Sequence, residues 1–215
     1  MIFPPHLAGF LPVLFWLFLL GLLATALTFA VFAVMRKFPH AIWAAGGALA
    51  LALLLTLSAT TSFWPTGWTP AGGAVGALIA LVGAALAVFG GGPAAQLALS
   101  LATRGSVAPG AHGGILVPTP ATPAGTPAPT GEDGAPATRE VLRGGAAIGV
   151  LERLCVVLGI VAGFPEALAI VIAVKGLGRF TELAAAEARE RFIIGTLASL
   201  LWASACAVLV RLALG

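Results

Sequence analysis

Charge is what this chain of 215 residues has least of. Asp, Glu, Lys and Arg together make up 9% of it, against about 25% in an ordinary soluble domain. Hydrophobic residues fill 60% of positions. A soluble globule needs more polar surface than that leaves, and disorder is excluded for most of the chain because apolar burial is plentiful. The sequence therefore reads as an integral membrane protein. Asp133 is the only aspartate, so no pair of aspartates exists for metal-dependent phosphoryl transfer. His6, His40 and His112 are too scattered for a metal site. Cys155 and Cys206 lie in apolar runs and read as small hydrophobes, with no metal-ligand spacing. No Lys/Arg run exceeds Arg36-Lys37, and the net charge is only +3, which argues against nucleic acid. Walker, His-Glu-x-x-His and Gly-x-Ser-x-Gly motifs are all missing, so no catalytic set is visible and no cofactor or metal is implied.

What is there is a series of long apolar runs. Crossing about 30 Å of hydrocarbon takes roughly 20 helical residues. Residues 10–35 form a first span, too long for the apolar region of a signal peptide and without Lys or Arg before it. Residues 41–60 form a second. Phe63, Trp64 and Trp68 in the following turn suit a lipid–water boundary. Residues 71–89 form a third, which Gly90-Gly91-Gly92-Pro93 is expected to break, leaving residues 94–104 as a short interfacial helix. Residues 104–143 differ in kind: seven of these forty positions are proline and seven are glycine, a flexible Pro/Gly/Thr-rich linker. Residues 144–163 form a fourth segment, residues 165–180 a fifth that is short or re-entrant, and residues 192–210 a sixth, after a polar, helical connector at 181–191.

The expected fold is thus all-α, a polytopic transmembrane bundle of about six segments. It divides into an N-terminal three-helix half (1–103), the linker (104–143) and a C-terminal three-helix half with a charged hairpin (144–215). Arg36, Lys37, Arg104, Arg139, Arg143, Arg179, Arg189 and Arg191 all fall in the odd-numbered loops. The positive-inside rule makes those loops and the linker cytoplasmic and puts both termini on the outer side. Glycines four apart at Gly72/Gly76, Gly145/Gly149 and Gly159/Gly163 suit close helix packing.

The exceptions to the scarcity of charge gather at one place. Residues 1–103 hold only two charged residues, Arg36 and Lys37, whereas Glu152, Arg153 and Lys175 lie inside apolar segments. Each would cost about 2.5–3.5 kcal/mol if left unpaired at the membrane centre. Glu152 lies eleven residues before Gly163 and Lys175 ten after Pro165, so a hairpin turning there puts them at nearly equal depth, as natural partners. Adjacent Glu152 and Arg153 point about 100° apart and are poor partners for each other. Lys175, Arg179 and Glu182 follow an i, i+4, i+7 spacing on one face. The candidate site is therefore Glu152, Arg153, Lys175, Arg179 and Glu182, with Glu166 and Glu190 as weaker candidates. The hairpin spans fully with its charges inside, the preferred reading, or re-enters from the cytoplasmic side; the orientation is the same either way.

The residues Gly149…Glu152-Arg153, Gly163…Glu166-Ala167, Ala173…Lys175…Arg179-Phe180…Glu182-Leu183 and Glu190…Ile194-Gly195-Thr196-Leu197…Ser199 carry a resemblance. Over residues 144–210 the chain resembles a family of uncharacterised bacterial polytopic membrane proteins, with Arg191 where an aromatic residue is expected. The resemblance implies a multi-pass protein of the bacterial inner membrane and no particular activity.

Two functions remain open on the sequence. One is handling of a small solute, ion or lipid, with Glu152 as the titrating carboxylate and Arg153, Lys175 and Arg179 around an anionic group such as a lipid phosphate. The other is a non-catalytic scaffold or accessory subunit with structural charges and a membrane-protein partner or a second copy of itself.

Overall fold

A computed structural model describes residues 5–35, 38, 40–60, 70–103, 115–118, 138–141, 145–178 and 186–215. Six helices form: α1 Pro5–Val34, α2 Ala41–Thr60, α3 Gly73–Ala102, α4 Gly145–Val161, α5 Ala167–Gly178 and α6 Ala186–Leu214. Among the described residues four stretches are long and apolar enough to cross a membrane: Phe10–Val34, Ala41–Thr60, Gly73–Ala102 and Arg189–Leu214. Helices α4 and α5, of 17 and 12 residues, rise only about 26 and 18 Å at 1.5 Å per residue. Both fall short of a hydrocarbon core of about 30 Å. The segments expected from the sequence are thus four long helices and one shorter hairpin.

The core is built where small residues let backbones approach. Helices α3 and α6 run antiparallel and in contact along their length. The backbone at Gly76 faces Leu214, Gly83 faces Val210, Gly90 faces Trp202, and Leu99 faces Gly195. At one end the Ala71 N–H donates to the Ala213 carbonyl at 2.8 Å. Helix α1 packs on α2 and α3, and α4 packs on α6 and α3. The two expected halves therefore share one core. Fully buried positions include Ala26, Ala30, Ala45, Ala52, Ala87, Ala203 and Ala207, whereas Leu54, Leu81 and Leu201 point outward. Small residues inside and large apolar residues outside is the pattern expected when the surroundings are as apolar as the core, because tight packing then drives helix association. The hydroxyls of Thr25, Thr28 and Thr56 each donate to the carbonyl four residues back at 2.8 Å, which leaves no orphan donor on an apolar surface.

Three expectations are corrected. Gly90-Gly91-Gly92-Pro93 does not break α3, which continues to Ala102 and absorbs residues 94–102. Inside an apolar bundle the backbone must satisfy its own hydrogen bonds, so the helix persists. The glycines serve close approach instead: a Cβ on Gly90 would meet the Trp202 ring, and one on Gly91 the stem of Arg153. Second, the last helix is longer than the expected span: α6 begins at Ala186 and runs on from the end of the connector, which is helical over residues 186–191 as expected; residues 179–185 lie outside the described residues. Third, the linker segment contains two short strands, β1 Ile115–Pro118 and β2 Thr138–Val141, paired antiparallel with Ile115 opposite Val141.

Candidate charged site

The α4–α5 hairpin is set by its turn. Gly163 takes a positive φ of 79°, which a residue with a Cβ adopts at a cost. Its N–H donates to the Ile160 carbonyl at 3.1 Å, and the Phe164 N–H to the Gly159 carbonyl at 2.8 Å. This reciprocal pair of bonds closes a helix C-terminus on glycine. Gly159 carries no side chain where Ala167 comes closest, so the two helices draw together beside the turn.

Away from the turn the hairpin brings Glu152 and Lys175 together. Lys175 Nζ donates directly to Glu152 Oε2 in an ion pair whose side chains are 16% and 10% exposed. The same ammonium lies 5.6 Å from the centre of the Phe192 ring of α6, a second favourable contact for a cation with little water around it. The partnership inferred from equal depth is therefore present.

Arg153 faces the other way. One residue along α4 is a rotation of about 100°, which turns its side chain from α5 towards α3 and α6. Its stem crosses α3 at Gly91, and Nη1 donates to Ser199 Oγ of α6 at 3.0 Å. Only 7% of Arg153 is exposed. Ser199 lies eight residues after Arg191 and twelve before Arg211, about 12 and 18 Å of helix rise from those basic ends. Trp202, one turn further along α6, covers Gly90 and donates from Nε1 to the Leu86 carbonyl at 3.0 Å, which satisfies its polar edge inside the bundle.

Two buried polar atoms of the site have no hydrogen-bond partner, Glu152 Oε1 and Arg153 Nε. Glu152 is engaged by Lys175, and Arg153 meets only the neutral hydroxyl of Ser199. Among the described residues the site thus holds one positive charge more than its carboxylate balances.

Glu166 and Glu190 are not gathered here. Glu166 is exposed at the hairpin turn, where its carbonyl accepts from the Ala169 and Ile170 N–H groups. Glu190 is exposed near the start of α6. Arg179 and Glu182 lie outside the described residues. Conversely, the structure adds Ser199, Phe192 and Gly91, none singled out as a site residue by the sequence. A serine within an apolar helix and a glycine run that fails to break one are the signals that could have found two of them.

The comparisons identify no family. No protein-family model matches the chain, and no curated protein or solved structure matches it.

Proposed function

We propose that this chain is a multi-pass protein of the bacterial inner membrane that handles a small solute, ion or lipid through the charged hairpin α4–α5. The observation that carries this reading is the third charge. Glu152 and Lys175 suffice to clasp two helices together, yet Arg153 is also buried, sharing that one carboxylate as its nearby charge without a hydrogen bond to it, over a glycine that makes room for it. Its bond to Ser199 ties α4 to α6, a task a neutral donor performs without burying a charge, and ionisable groups inside a membrane mark functional sites by default. In this reading four helices cross and the short hairpin enters from the linker side, with both termini on the outer side. The resemblance of residues 144–210 to bacterial polytopic proteins supports the membrane assignment, and the basic loops the orientation.

The test is gentle purification of the full chain followed by identification of what travels with it. A small molecule or lipid held in stoichiometric amount, and lost from Arg153→Gln, supports the proposal. The direct Glu152–Lys175 pair favours a second reading, in which the chain is an accessory subunit with structural charges. A stoichiometric protein partner with no small molecule would favour that reading and count against the first.

A further inference from the structure

We propose that Arg153 is an anion-binding residue and that its ligand is a phosphate-type oxyanion held where α3, α4 and α6 meet. This assignment rests on the role proposed above for the hairpin and names the ligand class.

Four observations converge on it. Arg153 is more than nine-tenths buried. Its single hydrogen bond runs from Nη1 to a neutral acceptor, Ser199 Oγ. Its Nε is buried with no acceptor among the described residues. The carboxylate next to it in sequence, Glu152, is engaged by Lys175 on the opposite side of α4. One carboxylate thus serves two buried cations, the shortfall is unfavourable in a low-dielectric bundle, and an anion beside the guanidinium removes that cost.

The geometry selects the kind of anion. Nη1 is the terminal nitrogen on the Cδ side, so its bond to Ser199 leaves the edge formed by Nε and Nη2. That edge presents two parallel N–H groups, the fork that binds two oxygens of one oxyanion. Lysine cannot offer this pattern, which separates the role of Arg153 from that of Lys175. Gly91 contributes clearance, since a Cβ there would collide with Arg153 Cδ and lie 3.0 Å from Nε. In a bilayer the oxyanion at hand is the phosphodiester of an anionic lipid, and inorganic phosphate presents the same pair of oxygens.

The experiment uses the full chain in phosphatidylcholine nanodiscs, with inorganic phosphate in one arm and phosphatidylglycerol in the other, and reads retention per chain by native mass spectrometry. Wild type retains one phosphatidylglycerol or one phosphate. Arg153→Gln lowers that retention at least tenfold, and Gly47→Ala, a helical glycine of α2 with open space above it, changes it less than threefold. Retention in the lipid arm alone identifies a headgroup; displacement of lipid by phosphate identifies a shared site open to the free ion. Equal retention by wild type and Arg153→Gln overturns the assignment, as does failure of wild type to retain either probe. If Arg153→Gln does not fold, Arg153→Lys keeps the charge without the fork, and its retention falls severalfold; unchanged retention overturns the assignment. Loss in Lys175→Gln with none in Arg153→Gln would refute this assignment and leave the hairpin reading standing. Indifference to both variants would refute both.

Discussion

Glu152 and Arg153 are neighbours in sequence and serve different helices: Glu152 takes the Lys175 ammonium of α5, and Arg153 reaches Ser199 of α6 across Gly91 of α3. The two side chains leave α4 about 100° apart, so a single turn of helix binds the hairpin to itself on one side and to the bundle on another.

Glu152→Ala and Lys175→Ala are each expected to destabilise the chain by roughly 3 kcal/mol, because each leaves a buried charge without its partner. The double variant recovers about 1–3 kcal/mol of the summed loss. Unfolding in mixed micelles, read by circular dichroism, checks this; additive losses would mean that the pair is not coupled.

Gly90→Ala is expected to cost about 1–3 kcal/mol, since the new Cβ falls within the Trp202 ring and α6 must shift to make room. Gly47→Ala is the control. Nothing lies within 4 Å of a Cβ at that position, and alanine is the better helix former. The comparison of thermal midpoints is decisive because both are helical glycines in one bundle.

How much of this was legible in the sequence varies from residue to residue. Helix α2 occupies residues 41–60 as the apolar run indicated, because a run of that length bounded by charges and a proline has one economical conformation. The Glu152–Lys175 pair followed from counting residues on either side of a turn. Gly90-Gly91-Gly92-Pro93 was misleading, since rules for helix breakers weigh what glycine and proline cost the backbone and say nothing of what packs on them. Here Trp202 and Arg153, remote in sequence, occupy the space above Gly90 and Gly91. The engagement of Arg153 with Ser199 was illegible for the same reason, as it depends on how α4 is rotated against α6.

Gly163→Ala should weaken the hairpin by about 1 kcal/mol, because a φ of 79° is strained for any residue with a Cβ. Nothing lies within 4 Å of a Cβ at Gly163, so a loss would report backbone strain rather than a clash. Hydrogen exchange at Phe164 and Ala167 is the readout: their amides, bonded to Gly159 and Phe164, lose protection in the variant if the turn depends on glycine.

Orientation has its own test. Single cysteines are placed at Thr122 in the linker and at Gly215, with Cys155 and Cys206 replaced by alanine. In intact cells a membrane-impermeant thiol reagent is expected to label the Gly215 position and to spare Thr122 until the membrane is opened. The reverse pattern would invert the topology inferred from the basic loops.

The most direct measurement of the central claim, that Arg153 awaits an anion, is the thermal midpoint of wild type and of Arg153→Gln with and without phosphatidylglycerol in the bilayer. A ligand that binds only the folded chain stabilises it by about 2.7 kcal/mol when present at a hundred times its dissociation constant. The account predicts a rise in midpoint for wild type that Arg153→Gln lacks, with the two equally helical before heating. An equal rise in both proteins, or none in either, would contradict it.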